Sequence, residues 1–166
     1  MRSDKDCYNL PNSPDHYCFG CSPVNPTGLQ MKFSANADRV FSKITIPDHL
    51  CGWSNIAHGG VLTTILDEIM SWAALHHLKR ITMTKSMNIE FIKPVYIRSP
   101  LRAEGKVLAQ TGKHDAVMEG ILYNEKGTAC AKSTANFAIF SPKVAKRFGI
   151  ADDASLKFFA DVFDIK

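Results

Sequence analysis

The residues best placed for chemistry are two adjacent glycines and an aspartate that follows them. Gly59 and Gly60 open a run whose apolar residues recur at helical spacing, and the first amides of a helix have no partner within it. Such amides lie at the positive end of the helix dipole, where they can stabilise negative charge developing on a carbonyl oxygen. Asp67 follows Gly60 by seven residues, about two turns, and so lies near the same line along the helix. A carboxylate there could act as a general base or a nucleophile.

The surrounding pattern predicts one long helix followed by an antiparallel meander, an α+β arrangement. The helix is expected from about Gly59 to Leu78, with its apolar stripe against the sheet. Strands are expected near 30–35 and 40–46, joined by a hairpin turn, and then near 82–93, 100–110, 113–124 and 128–140. The small or polar side of the helix should face a sheet edge or a partner subunit; it comprises Gly60, Thr63, Thr64, Asp67, Ser71 and Ala74.

The two ends of the chain have their own patterns. Residues 1–17 are polar and contain two prolines, which predicts a loose arm or a short helix. Beyond Pro142, apolar residues at helical spacing predict a short amphipathic helix. That helix is expected to dock on its own subunit, and the alternative is that it covers an acyl pocket.

Composition restricts the class of protein. The 166 residues suit one domain, and a net charge of +4 without a Lys/Arg run argues against nucleic-acid binding. The start lacks the apolar core of a signal peptide, and charged residues and histidines interrupt the most apolar helix, so we expect no membrane span. Five cysteines, an odd number, are interpreted as reduced thiols of a cytoplasmic protein.

His58, Gly59 and Gly60, with an acid nine positions after the histidine at Asp67, resemble the signature of hotdog-fold acyl-CoA thioesterases of the PaaI-like group. The resemblance extends from about Cys18 to Phe140. It implies an α+β hotdog fold, in which an antiparallel sheet wraps a long helix. The domain would span residues 29–140, between an N-terminal arm and turn at 1–28 and a helical tail at 141–166.

The resemblance also implies an activity and an assembly. The substrate would be an acyl or aryl-acyl coenzyme A thioester, hydrolysed without a metal or redox cofactor. Two subunits would join their sheets, so that each site combines the glycine end of one helix with the acid of the other. Such dimers commonly pair into tetramers.

The resemblance suggests roles for individual residues. Asp67 would be the base or the nucleophile, and the amide of Gly59 or Gly60 would polarise the thioester carbonyl. His58 would mainly fix the loop through a hydrogen bond to backbone, with a lesser catalytic role. Thr84 would either hold the attacking water or be an ordinary β-branched strand residue.

Two neighbouring positions complicate this assignment. Several relatives carry Asn or Gln six residues before the histidine, where this chain has Gly52. Either Asn55 substitutes for that amide, or Asn55 only caps the loop. Glu68 competes with Asp67 as the acid, but one helical step of about 100 degrees should direct it to a salt bridge or to solvent.

Cys18 and Cys21 form a Cys-x-x-Cys pair, which raises the question of zinc. A closed zinc site needs four ligands, and only Cys7 and His16 are near in sequence. We therefore predict two buried thiols in a Pro/Gly-rich turn and no bound zinc. The adjacent histidines 76 and 77 point to different helix faces and predict no metal site either.

Two other functions are compatible with a hotdog fold. A hotdog dehydratase would need characteristic histidine-containing segments, which this sequence lacks. A non-catalytic acyl-CoA-binding domain would not need both glycines and Asp67. The sequence does not specify the acyl chain, or whether coenzyme A or a carrier protein bears it.

Overall fold

The computed structural model describes residues 7–14 and 16–165. The elements along these residues are β1 Tyr8–Asn9, β2 Ser34–Ala35, β3 Val40–Thr45, α1 Gly59–Leu78, β4 Ile81–Phe91, β5 Pro100–Gln110, β6 Asp115–Asn124, β7 Ala129–Phe140, α2 Pro142–Arg147 and α3 Asp153–Phe163. The predicted helix at 59–78 and the four long strands after it are confirmed. None of the helices in this part of the chain has the length and apolar character needed to cross a bilayer.

The strands form one antiparallel sheet in the order β1-β2-β3-β5-β6-β7-β4. The predicted meander is therefore right for β5, β6 and β7 but wrong for β4, which pairs with β7 at the edge. The reason is the position of α1 in the chain. Helix α1 crosses one face of the sheet from the side of β3 to the far edge, where β4 begins. The strand that follows β4 then returns to pair with β3.

Helix α1 packs on β3, β4, β5 and β6 and forms the centre of the core. The whole predicted apolar stripe is buried: Val61, Leu62, Ile65, Leu66, Ile69 and Ala73. On the other predicted side, Thr63, Thr64, Asp67 and Ser71 are partly buried. Ala74 is fully buried, so its assignment to that side is wrong; the stripe widens towards the helix C-terminus, where Trp72 is also buried.

Two glycines bring the sheet close to the helix. Gly105 of β5 and Gly120 of β6 lie opposite each other in register. A Cβ atom on Gly105 would lie 2.3 Å from the carbonyl oxygen of Ile69, and one on Gly120 would lie 3.1 Å from Cγ of Met70. Because real Cβ atoms do not approach backbone oxygen so closely, any larger residue at 105 must displace the helix.

The N-terminal region differs from the prediction. Tyr8 and Asn9 pair with β2 as a strand, so an arm or short helix is wrong there; the first six residues lie outside the described part. The first strand of the predicted hairpin shortens to Ser34–Ala35. The preceding residues pair instead with the Pro/Gly-rich turn, because the Met31 amide donates to the carbonyl of Gly20 at 3.0 Å.

The C-terminal region contains α3, as predicted, and a preceding α2 that is not predicted from the sequence. Ser141 caps α2 by accepting from the Val144 amide, and Pro142 occupies its first turn. Phe163 of α3 is buried edge-on against Trp72, with ring centroids 5.8 Å apart. The helix therefore docks on its own chain.

Candidate active site

The junction between the loop and α1 is fixed by backbone hydrogen bonds. The His58 amide donates to the Leu50 carbonyl at 3.0 Å, and the Ala57 amide donates to the Val95 carbonyl at 2.8 Å. His58 is the N-cap residue, and its Nδ1 accepts from the Gly60 amide at 2.9 Å. This is the side-chain-to-backbone hydrogen bond expected of His58.

The same hydrogen bond separates the two glycines. The Gly60 N–H is occupied by His58, whereas the Gly59 N–H has no hydrogen-bond partner within the described residues. A Cβ on Gly59 would lie 3.6 Å from Cζ of Phe91, at the end of β4. Gly59 therefore presents the free amide of the helix start, and Gly60 does not.

Asp67 and Thr84 form a pair between α1 and β4. The Thr84 hydroxyl donates to Oδ1 of Asp67 at 2.6 Å, and both side chains are partly buried. Asp67 makes no ion pair in the part of the chain that the structure describes. Its other oxygen, Oδ2, is therefore available to a water molecule or a substrate.

A β-bulge explains why Thr84 faces the helix. The pairing of β4 with β7 shifts register between Thr84 and Ser86, leaving Lys85 as the extra residue. Before the bulge, Thr82 and Thr84 are the partly buried residues; after it, Met87 and Ile89 are. A bulge of this kind commonly re-aims side chains beside functional sites.

The free amide and the carboxylate are far apart within one chain. Eight residues separate Gly59 from Asp67, which is about 12 Å along a helix axis. An oxyanion donor must lie about 3 Å from the reacting oxygen. The Gly59 amide and the Asp67 carboxylate of the same helix therefore cannot both contact one carbonyl group.

Part of the chain matches a known protein family. Residues 54–131 match the family model described as thioesterase superfamily, a segment that runs from the loop before α1 into β7. Residues 54–131 are therefore similar to the thioesterase superfamily. No curated protein matches the chain.

The solved structures similar to this chain share its hotdog fold. A hypothetical thioesterase with coenzyme A from Streptococcus pneumoniae TIGR4 is 22% identical over 62% of this chain and 79% of that chain, with a TM-score of 0.58. The PaaI protein from the phenylacetic acid degradation operon of E. coli is 18% identical over 68% and 81%, with a TM-score of 0.62. The protein smu.793 from Streptococcus mutans UA159, bound to acetyl CoA, is 18% identical over 66% and 88%, with a TM-score of 0.62.

Gly52 occupies the position at which the resemblance to PaaI-like thioesterases implies an amide side chain. A Cβ on Gly52 would lie 3.3 Å from Cα of His58, so the position does adjoin the helix start. Asn55 is exposed, and its backbone carbonyl accepts from the Ile97 amide at 2.9 Å. No side-chain hydrogen bond of Asn55 caps the loop within the described residues, and its substitution for the missing amide stays a prediction.

Glu68 lies in a cluster that the sequence pattern does not indicate. Its predicted salt bridge or solvent exposure is wrong: one of its oxygens accepts from Nε1 of Trp72 at 3.1 Å, and both lie 3.6 Å from Sγ of Cys18. Removal from water raises the pKa of Glu68 to about 7. The turn Cys18–Cys21 comes from fifty residues away, a proximity that helical periodicity cannot reveal.

The two thiols of the cluster differ in environment. Cys21 is buried and Cys18 partly buried. Hydrogen bonding from Cys21 lowers the pKa of Cys18 to about 5, whereas its bond to Cys18 and its burial raise the pKa of Cys21. Close approach is possible because residue 20 is glycine: a Cβ there would lie 2.4 Å from a Glu68 oxygen.

Proposed function

We propose that this protein is an acyl-CoA thioesterase that hydrolyses an acyl or aryl-acyl coenzyme A thioester to the free acid and coenzyme A. The observation that carries the proposal is the Asp67–Thr84 pair, because it holds a carboxylate with one free oxygen beside a hydroxyl. The match of residues 54–131 to the thioesterase superfamily model supports the reaction class. Two of the similar structures contain coenzyme A or acetyl CoA, which supports the substrate class.

In the general-base route, Asp67 accepts a proton from a water molecule whose oxygen attacks the thioester carbonyl carbon. The Thr84 hydroxyl, which donates to Asp67, accepts a hydrogen bond from the same water. The Gly59 N–H stabilises the oxyanion of the tetrahedral intermediate. The C–S bond then breaks, and the departing thiolate takes the proton held by Asp67.

The nucleophilic route uses the same residues. Asp67 attacks the carbonyl carbon, the thiolate leaves, and a mixed anhydride forms, which water then hydrolyses. Neither route uses a metal or a redox cofactor. Coenzyme A enters each route as part of the substrate.

Each site combines residues of two copies of the chain, in a homodimer or in a tetramer formed by two such dimers. The support is the distance of about 12 Å between Gly59 and Asp67 on one helix and the position of β4 at the sheet edge. Antiparallel pairing of two β4 strands, centred between Met87 and Asn88, sets Phe91 of one copy opposite Thr84 of the other. Because Gly59 lies beside Phe91, its amide then lies near the partner copy's acid.

The compartment we propose is the cytoplasm. All five cysteines are free thiols, which is typical of proteins in a reducing environment. Coenzyme A thioesters as substrates are consistent with that location.

The test is steady-state hydrolysis over a panel of short, long and aromatic acyl-CoAs, with wild type and Asp67→Asn. The amide keeps the shape of the carboxylate but neither accepts a proton from water nor attacks readily. We expect kcat to fall about 10²–10⁴-fold with KM little changed. Asp161→Asn, on the exposed face of α3, is the matched control and should keep wild-type turnover.

Two results would contradict the proposal. Wild-type turnover by a folded Asp67→Asn variant would remove the acid from the mechanism. Tight binding of every acyl-CoA by the wild type without hydrolysis would point instead to a non-catalytic acyl-CoA-binding domain.

A further inference from the structure

The cluster of Cys18, Cys21 and Glu68 has the composition and spacing of a metal site. One ligand atom from each residue lies within 4.8 Å of the other two. A tetrahedral zinc ion, with Zn–S of about 2.3 Å and Zn–O of about 2.1 Å, separates sulfur from oxygen by about 3.6 Å. Sγ of Cys18 lies at that distance, 3.6 Å, from both oxygens of Glu68.

The turn that carries the thiols is held in place by other parts of the chain. The Cys21 amide donates to Sγ of Cys18 at 3.3 Å, which orients that sulfur towards the cluster. The Leu29 amide donates to the Phe19 carbonyl at 2.8 Å, and the Met31 amide to the Gly20 carbonyl at 3.0 Å. The ligand arrangement therefore does not depend on a metal to form the turn.

The carboxylate of Glu68 is also held in place by its neighbours, and it has no cationic side chain as a partner among the described residues. Trp72 donates to one oxygen of Glu68, and the missing Cβ of Gly20 makes room for the other. No Lys, Arg or His of residues 7–14 and 16–165 forms an ion pair with Glu68. A carboxylate withdrawn from water normally needs such a partner, and a divalent cation between it and the thiols would supply the charge.

The cluster borders a cavity of about 440 Å³ beneath α3. Trp72, Leu75, Phe158 and Phe159 supply apolar walls. His16 also lines the cavity, but its Nε2 is bonded to Asn12 at 3.1 Å and its Nδ1 accepts from the Cys18 amide at 3.2 Å. His16 therefore has no ring nitrogen free to join the cluster, whereas the cavity has room for a water molecule beside it.

We propose that Cys18, Cys21 and Glu68 bind a zinc ion whose fourth ligand is a water molecule in this cavity. The Cys-x-x-Cys pair alone lacks two of the four ligands of a closed zinc site, which is why the sequence predicts no zinc. Glu68 supplies one of the two, and a three-ligand site with an open position does not need the other. The site is separate from Asp67 and Thr84, and its occupancy does not depend on the proposed hydrolysis.

The test uses the full chain in a thiol-free phosphine reductant, which excludes a disulfide. The protein is treated with a chelator, exchanged into chelator-free buffer and titrated with Co²⁺ under absorption. We expect thiolate-to-cobalt charge transfer in the near ultraviolet, tetrahedral ligand-field bands that saturate at one equivalent per chain, and loss of both on adding Zn²⁺. Elemental analysis of protein purified without chelator should find zinc at the same stoichiometry.

Variants assign the ligands. Cys18→Ser and Cys21→Ser should each abolish the two-thiolate spectrum, and Glu68→Gln should weaken Zn²⁺ binding by more than about tenfold, the smallest loss typical even of outer-shell changes. Cys51→Ser, at an exposed thiol outside the cluster, is the matched control and should bind like wild type. Circular dichroism accompanies each variant.

A measurement on the wild type avoids dependence on folding of the variants. After the phosphine is removed by anaerobic gel filtration, Zn²⁺ should protect Cys18 and Cys21 from a chromogenic disulfide reagent while Cys51 continues to react. Folded, reduced wild type that shows neither thiolate-to-cobalt charge transfer nor thiol protection would overturn the proposal. Wild-type cobalt spectra from both cysteine variants would overturn it as well.

Discussion

The amide of Gly59 differs from its neighbour in having no hydrogen-bond partner in the described chain, because His58 engages the Gly60 amide instead. Proline at residue 59 would delete this N–H with little strain. It would occupy the first helical position, which proline favours, after a His58 whose φ of −64° and ψ of 136° suit a following proline.

We predict that Gly59→Pro lowers kcat about 10²–10³-fold, the typical effect of removing one oxyanion-hole donor. Gly59→Ala keeps the N–H, and its Cβ has ordinary van der Waals room beside Phe91, so it should retain most of the turnover. Steady-state hydrolysis of the best acyl-CoA from the panel measures both. Equal losses in the two variants would mean that bulk at residue 59, and not the amide, matters.

Thr84 allows a similarly matched comparison. Thr84→Val keeps the β-branched shape of the side chain but removes the hydroxyl that donates to Asp67, whereas Thr84→Ser keeps the hydroxyl. If the hydroxyl orients the acid and its water, Thr84→Val should lower kcat by about tenfold or more, consistent with a charge-assisted hydrogen bond of about 1.5–3 kcal/mol. Thr84→Ser should retain most of the wild-type kcat. Wild-type turnover in Thr84→Val would show that the Thr84 hydroxyl takes no part in hydrolysis and that Thr84 is only a β-branched strand residue.

At the scale of elements, the sequence predicts the helix and the long strands well, because each has a periodic pattern and a clear boundary. It does not predict the side to which Thr84 points. Uninterrupted alternation from Met87 and Ile89 would place Met83 and Lys85 against the helix and Thr84 away from it. The bulge at Lys85 reverses this, and no single residue type in that segment signals it.

The edge position of β4 and the Glu68 cluster cannot be predicted from the sequence, for a related reason. Both depend on contacts between distant segments: β4 with β7 across the sheet, and Glu68 with the turn fifty residues earlier. Local periodicity describes which face of an element is buried, but not which other segment covers it. The candidate residues Gly59 and Asp67 can be predicted from the sequence because both belong to one helix.

The contact between α1 and the sheet depends on Gly105. We predict that Gly105→Ala destabilises the fold by about 2 kcal/mol or more, in the upper part of the range for overpacked cores, because the obstructing atom is the Ile69 carbonyl oxygen and cannot rotate away. Gly112→Ala, where a Cβ meets nothing within 4 Å, should change stability by less than about 0.5 kcal/mol. Urea unfolding monitored by circular dichroism measures both, and equal stabilities would show that α1 is free to shift.

At the scale of the whole molecule, the two sheet edges are unequal. β1 is two residues long, whereas β4 has eleven residues and exposes Met83 and Phe91. A long edge strand with exposed apolar side chains is a surface for pairing with another chain. Self-association through β4 would bury this edge and bring the glycine end of one α1 towards the acid of another.

Mixing two inactive variants tests whether the site is shared. Gly59→Pro chains retain Asp67, and Asp67→Asn chains retain the Gly59 amide. In a shared site, each heterodimer of the two has one intact site and one doubly altered site. Random association makes half of the dimers heterodimers, so about a quarter of wild-type activity should return, far above the residual activity of either variant, which is about 10²-fold or more below wild type.

The mixture is prepared by co-expressing the two variants with different affinity tags, so that the heterodimer can be isolated by sequential purification. The isolated heterodimer should then show about half of wild-type activity per chain, since one of its two sites is intact. Sedimentation velocity at micromolar concentration should give a dimer or larger species for wild type and for both variants. If the heterodimer is no more active than the mean of its parents, or if wild type sediments only as a monomer, Gly59 and Asp67 do not act across an interface. The separation of about 12 Å along α1 would then also exclude their joint action within one chain.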